Sequence, residues 1–372
     1  MCFVRYRSGL TSNRATTLVL VTSVDLGIPV VPSTTTALTR PETPALVDTF
    51  GRVATDLRVS LIDRCNLRCT YCMPAEGLDW LPQPELLTDD ELIRLVRIAV
   101  TMLGITDVRF TGGEPLLRKG LERILAASAA LTPRPRISMT TNGIGLARRA
   151  QALAATGLDR INVSLDTLRQ DRFTAMTRRN RLADVHAGLA AARAAGLSPV
   201  KVNAVLLRGV NDDEAVDLLE YCLHNGYQLR FIEQMPLDPQ HGWDRSNMIT
   251  AEEILALLAK RFRLTPSPSP RGGAPAERWV VDGGPGEVGV IGSVTRPFCG
   301  DCERTRLTAD GQMRNCLFAQ TETDLRGALR SGADDEQVAR LWRGGMWTKL
   351  AGHQINADGF AQPIRPMSAI GG

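Results

Sequence analysis

The chain has 372 residues, 44% hydrophobic and 23% charged, with a formal net charge of +4. Such a length can bury one large core or two, and the composition is that of a globular protein rather than a low-complexity one. The charge is too small to argue for a nucleic-acid partner, although basic residues gathered in one cleft would suit a small anionic ligand.

Residues 1–45 hold several arginines and few acids. They read as a disordered N-terminal extension, with an organelle transit peptide as the alternative. No run of about 18 apolar residues follows anywhere, so no membrane span is predicted. A strand is predicted at Leu57–Ile62 (LRVSLI). Thr88 then opens a helix, with Glu91 placed for a capping box and apolar residues at helical spacing from Leu92 to Leu103. Asp107–Thr111 (DVRFT) is the second strand, stopped by Gly112 and Gly113.

Arg136–Thr141 (RISMTT), Arg160–Leu165 (RINVSL), Pro199–Leu206 (PVKVNAVL) and Leu229–Glu233 (LRFIE) complete six strand-like runs, with helices predicted at Ala183–Ala195 and Asp212–His224. Strands alternating with helices imply parallel βαβ units. Six units favour a partial barrel over an open dinucleotide fold, and no glycine-rich fingerprint follows the first strand. The barrel is expected over 46–264. Residues 265–286, rich in Pro, Gly and Ser, bracket a short strand at Trp279–Val281 and open a smaller C-terminal region, 265–372.

Six of the eight cysteines fall into two groups, Cys65/Cys69/Cys72 and Cys299/Cys302/Cys316, while Cys2 and Cys222 stand alone. Two triplets make a poor disulfide framework in a chain with no secretory signal. Closely spaced thiols fit metal binding in a reducing compartment, and a cytoplasmic location is expected. Three thiolates suit a four-iron cluster with one iron left open, since fully protein-ligated clusters usually take four cysteines. The alternative for the first group is zinc with a remote fourth ligand. The second group reads alternatively as a redox pair or half a zinc ribbon. Beside it, Arg304, Thr305 and Arg306 (RTR) suggest an anionic ligand, or a solvated strand face.

The spacing Cys65-x3-Cys69-x2-Cys72, with Tyr71 before the last cysteine, resembles the radical S-adenosylmethionine (SAM) superfamily, as does Gly112-Gly113-Glu114-Pro115 after the second strand. Adding Cys299-x2-Cys302-x13-Cys316 and the terminal Gly371-Gly372, residues 57–372 resemble the GTP 3',8-cyclase family of molybdenum-cofactor biosynthesis. The implied fold is α/β, a partial TIM-type (β/α)6 radical SAM barrel whose C-terminal region carries a second iron–sulfur cluster. Two 4Fe-4S clusters are implied, one on Cys65, Cys69 and Cys72 that binds SAM, and one on Cys299, Cys302 and Cys316 that anchors the substrate.

By the same resemblance, Tyr71, Gly113, Ser164 and Met235 would line the SAM site. Arg58, Arg109, Thr140, Lys201 and Arg304–Arg306 would bind GTP. Cys65, Cys69, Cys72, Arg304, Arg306, Gly371 and Gly372 would serve catalysis, the glycines as a tail without side chains that enters a crowded cavity. The implied lyase reaction begins when a 5'-deoxyadenosyl radical takes the 3' hydrogen of the GTP ribose. The resulting carbon radical adds to C8 of guanine, and reduction follows. An electron donor, a homodimer, and product transfer to cyclic pyranopterin monophosphate synthase are implied as well. One position departs from the pattern: Asp107 stands where many relatives carry lysine, which is expected to weaken triphosphate binding or mark a less active paralogue. Other readings are a peptide-modifying radical SAM enzyme and a non-catalytic iron–sulfur scaffold.

Overall fold

Each barrel strand presents two chemistries. In β1 (Asp56–Ser60), Leu57 and Val59 are fully buried in the main apolar core, and Arg58 stands between them. In β2 (Asp107–Thr111), Val108 and Phe110 flank Arg109 in the same way. Successive side chains on a strand point to opposite faces. Such runs therefore make one apolar face, which helices must cover, and one polar face turned away from them.

The computed structural model describes residues 39–371. The reading of residues 1–45 therefore falls outside the described residues except for 39–45, and so do Cys2 and Gly372. From Arg40 onward the described chain forms one unit. After β1 and β2 come β3 (Arg136–Thr141), β4 (Arg160–Ser164), β5 (Val200–Val205) and β6 (Gln228–Ile232). These are the six strands read from the sequence. Between and after them lie α1 (Asp89–Leu103), α2 (Leu121–Ala129), α3 (Ala150–Ala155), α4 (Gln170–Thr177), α5 (Leu182–Ala194), α6 (Ala215–Asn225) and α7 (Ala251–Ala259). The capping box of α1 forms as expected: Thr88 Oγ1 accepts from the Glu91 amide at 3.2 Å, and Glu91 Oε2 accepts from the Thr88 amide at 2.7 Å.

The chain beyond residue 264 builds onto both ends of this sheet. β7 (Leu264–Pro266), β8 (Glu277–Val281) and β9 (Glu287–Ile291) extend it past β6, while β10 (Arg304–Leu307), β11 (Gln312–Arg314) and β12 (Thr323–Asp324) extend it past β1. β9 pairs parallel with β6 and β10 pairs parallel with β1, so the barrel holds two more parallel strands than the six expected. The hairpin strands β7–β8 and β11–β12 run antiparallel at the two edges. Among the described residues β9 and β10 do not pair with each other, and the barrel stays open.

Three last helices follow, α8 (Leu325–Arg330), α9 (Asp335–Trp347) and α10 (Met367–Ile370). Trp342 of α9 is fully buried, and its indole Nε1 donates to Thr305 Oγ1 at 3.0 Å, which ties α9 to the outer face of β10. No helix among the described residues is long and apolar enough to cross a membrane.

Candidate active site

The polar face of the barrel lines a cavity of about 330 Å³. β1 and β2 contribute Arg58, Arg109 and Thr111, β3 and β4 contribute Thr140 and Ser164, β5 and β6 contribute Asn203 and Arg230, and β10 contributes Arg304 and Arg306. The loop after β1 brings Cys65, Cys69, Tyr71 and Cys72 to the same space, and Gly113 and Met235 also face it.

Tight backbone packing sets the cysteine loop. The amides of Gly113 and Glu114 donate to the carbonyls of Ile62 and Arg64 at 2.6 and 2.7 Å. A Cβ on Gly113 would lie 2.3 Å from the Arg64 carbonyl oxygen, so only glycine lets this turn lie flush on the loop. Glu114 itself turns away from the cavity. Its buried carboxylate accepts from Leu116 N, Thr141 Oγ1 and Asn142 N at 2.6–2.9 Å, which binds the ends of β2 and β3 together. Burial pushes this carboxyl up to about 7 despite those bonds. Tyr71 donates from its hydroxyl to Asp166 Oδ2 at 2.7 Å.

The three cysteines of this loop are half-buried as residues and free of disulfides. Burial, helped by the Glu114 charge, pushes the Cys65 thiol up to about 11. Burial beside Cys65 and Asp166 pushes Cys72 up to about 12. Thiolates in such a place need a strong counter-charge, which a bound iron supplies. Among the described residues no three Cys, His, Asp or Glu side chains close on one point as around a single ion. A four-iron cluster takes each thiolate on a different iron, so its cysteines stand apart around a cube. Three cysteines on a cavity whose lining holds no histidine among the described residues fit a cluster with one iron left open.

The basic wall opposes charge to charge. Arg58 pairs with Asp56 through Nε and Nη2, both at 3.0 Å. Arg109 donates to Ser138 Oγ at 3.2 Å, and burial holds its guanidinium well below the usual range, with Arg58 adding repulsion. Arg230 makes no hydrogen bond or ion pair to another described residue, and burial beside Arg160 and Arg58 lowers it to about 10. A set of buried and half-buried guanidiniums that repel one another calls for an anion carrying several charges.

Cys299, Cys302 and Cys316 do not line the cavity themselves, but their chain neighbours Phe298 and Leu317 do. Each sulfur has an N–H aimed at it: from the His353 backbone to Cys299, from Lys349 Nζ to Cys302 at 3.3 Å, and from the Phe318 backbone to Cys316 at 3.5 Å. Arg304 reaches from this group to the cavity. Its guanidinium sits 4.8 Å from the Phe298 ring centroid, and its Nη2 is buried with no hydrogen-bond partner.

The C-terminal tail closes one side. Met367 and Ser368 line the cavity, and Arg306 Nη1 donates to the Gly371 carbonyl at 2.6 Å. Arg365 fixes the approach through Asp310 Oδ1 and Oδ2 at 3.0 and 2.7 Å, and through Glu322 at 2.7 Å.

Comparison with known proteins agrees with this geometry. Residues 59–222 match the Radical SAM superfamily and residues 227–355 match Molybdenum Cofactor Synthesis C. A GTP 3',8-cyclase of Streptomyces coelicolor is 68% identical over 88% of this chain and 96% of its own length. This chain belongs to the GTP 3',8-cyclase family. A second relative, GTP 3',8-cyclase of Mycolicibacterium smegmatis, is 61% identical over 95% of this chain and its whole length. The solved structure of Streptococcus suis SuiB bound to S-adenosylmethionine shares the fold at TM-score 0.55 and 14% identity, covering 78% of this chain and 68% of that one. The radical SAM domain brings S-adenosylmethionine and an iron–sulfur cluster with it.

Against the residues that the GTP 3',8-cyclase resemblance singled out, the cavity gathers Cys65, Cys69, Cys72, Tyr71, Gly113, Ser164, Met235, Arg58, Arg109, Thr140, Arg304 and Arg306. Thr305 is placed differently from its two neighbours. Strand alternation turns its side chain to the helix layer, where it accepts from Trp342, so its hydroxyl faces away from the cavity. Lys201 shares the parity of Asn203 on β5 but lies outside the cavity lining, among Arg230, Arg160 and Arg109. Asp107 is held by Arg136 at 2.6 Å and Arg160 at 3.2 Å.

Two residues of note went unread. Arg230 sits in an LRF run like the LRV of Arg58 and the VRF of Arg109, so the same pattern could have found it. Lys349 offers no such signal, because a lysine just past a helix reads as a favourable C-terminal charge.

Proposed function

We propose that this chain is a radical SAM GTP 3',8-cyclase with two 4Fe-4S clusters, and that GTP lies in the cavity between them. The observation that carries the reading is the cavity itself. Cys65, Cys69 and Cys72 stand on it with the arginines 58, 109, 230, 304 and 306, and the chain neighbours of Cys299 and Cys316 reach it from the second group.

Cys65, Cys69 and Cys72 would hold the first cluster and Cys299, Cys302 and Cys316 the second. When bound, the first cluster and SAM supply the one-electron chemistry that removes the 3' hydrogen of the GTP ribose. The protein's own contribution is placement. Arg58, Arg109 and Arg230, with Lys201 beneath them, would bind the triphosphate, since guanidinium forks match phosphate oxygens. The 3' carbon and C8 belong to the same GTP molecule, and the cavity's part is to hold ribose and guanine in the conformer that brings those two atoms together. Tyr71, Gly113, Ser164 and Met235 would face SAM, with Asp166 fixing the Tyr71 hydroxyl. Gly371 would complete the wall, excluding water and oxygen. The product would pass to cyclic pyranopterin monophosphate synthase, an external electron donor would reduce the first cluster, and the working form would be a homodimer.

The test is anaerobic reconstitution followed by incubation with SAM, dithionite and GTP. The reading requires 5'-deoxyadenosine formed together with a cyclised GTP product. Deoxyadenosine with unconverted GTP would keep the radical SAM chemistry and remove the substrate.

A further inference from the structure

Lys349 is a buried ammonium with unusual company. Its side chain is almost wholly enclosed, and it gives all three of its donor directions to the second cysteine group. Nζ donates to the Cys302 carbonyl at 3.0 Å, to the Arg304 carbonyl at 3.0 Å and to Cys302 Sγ at 3.3 Å. No carboxylate of the described residues pairs with it. A buried charge without a counter-ion is costly, and the anion within reach is the Cys302 sulfur. Arg304 adds a second positive charge on the same sulfur.

The first cysteine group has the opposite surroundings. Carboxylates dominate there: the Glu114 charge acts on Cys65, Asp166 on Cys69 and Cys72, and Asp238 on Cys72, with Arg68 near Cys65 a weaker opposing charge. The N–H groups aimed at sulfurs there are neutral ones, the Leu67 and Cys69 backbone amides and the Asn142 side chain, the last 3.8 Å from Cys65 Sγ. Hydrogen bonds and charge around the ligating sulfurs set a cluster's reduction potential, because the reduced cluster carries one more negative charge.

We infer that Lys349 is a positioning residue for the second cluster, which holds Cys302 in place and raises that cluster's reduction potential above that of the first. This rests on the two-cluster reading proposed above. An electron would then be more stable on the substrate-side cluster, while the SAM-side cluster stays the stronger reductant.

The experiment isolates the second cluster in the full-length Cys65→Ala/Cys69→Ala/Cys72→Ala variant and titrates it with dithionite, following the reduced-cluster signal by electron paramagnetic resonance. A parent without iron overturns the two-cluster reading and this inference with it. Given a loaded parent, adding Lys349→Met should shift the midpoint to a more negative potential, and Lys349→Arg should restore most of the shift. A Lys349→Met cluster that titrates with its parent overturns the assignment. If Lys349→Met does not load, the parent carrying 15N-labelled lysine decides by hyperfine spectroscopy. A 15N coupling in the reduced cluster, missing from unlabelled protein, upholds the contact, and its absence overturns it. In the intact protein the second cluster should also reduce before the first, and the reverse order likewise overturns the assignment.

Discussion

Arg306 donates from Nη1 to the carbonyl oxygen of Gly371 across 2.6 Å, joining β10 to the last described residue of the chain. Arg306 is buried, and its guanidinium is drawn down to about 9 by burial and by Arg58 and Arg304. A carbonyl dipole thus answers part of a charge that no carboxylate side chain of the described residues pairs with. Gly371 holds φ +87°, and a Cβ there would lie 2.9 Å from Thr111 Cγ2 and 3.0 Å from Ser60 Cβ. The tail fits because it has no side chain at this point.

Gly371→Val is therefore expected to expel the tail, through backbone strain and two close contacts together. Turnover of GTP should fall at least about tenfold, which is roughly 1.4 kcal/mol of transition-state stabilisation, while iron content stays that of the parent. Deleting Gly371 and Gly372 together should do the same. Parental turnover in either variant would remove the tail from the proposed wall.

Arg230→Met should move two observables in opposite directions. The unliganded protein should gain stability of up to about 1 kcal/mol, since a half-buried cation with no ion-pair partner among the described residues gives way to an apolar side chain. The KM for GTP should rise by roughly ten- to a hundredfold, the loss of one charge-assisted contact to phosphate. Urea midpoints and steady-state kinetics check both. A variant that loses stability and keeps its KM would mark Arg230 as structural.

Much of this site was legible before the fold was known, and the reason is local. Strands at Asp107–Thr111 and Arg136–Thr141 begin and end where the sequence pattern placed them, because alternation and the Gly112–Gly113 stop act over a few residues. β10 was not legible as a barrel strand. Its RTRL run looks like a solvated edge, and its parallel partner β1 comes from the far end of the chain, a pairing no local pattern encodes. Without β10 in the barrel, nothing in the sequence said which of Arg304, Thr305 and Arg306 turned their side chains inward.

Asp107→Asn tests the departure from the lysine common among relatives. The carboxylate bridges Arg136 and Arg160, one partner well exposed and the other partly so. Such a pair contributes about 1 kcal/mol or less, so a small drop in urea midpoint, erased by high salt, is expected. The KM for GTP should move less than about threefold, because Asp107 is committed to these arginines and does not line the cavity. A large fall in KM would mean that the substrate feels this charge and that the position lowers affinity in this chain.

Lys201 gives the pH signature. Burial, with Arg230 and Arg160 beside it, lowers its ammonium to about 7 from an ordinary 10.5. In the unfolded chain the group keeps its proton up to about 10.4, so between about 7 and 10 the unfolded state binds more protons. This group therefore makes the unliganded fold more stable as pH rises through that window. Anion binding runs the other way. Bound triphosphate favours the protonated amine and raises its pKa, so affinity is full below about 7 and falls above it. The phosphates titrate too, and the comparison must be the wild type against Lys201→Gln, in which only this amine is removed. The difference in log Kd for GTP, measured by calorimetry from pH 6 to 9, should be largest at pH 6 and shrink with a slope approaching one proton above pH 7. A difference that does not change with pH would mean that Lys201 meets no phosphate.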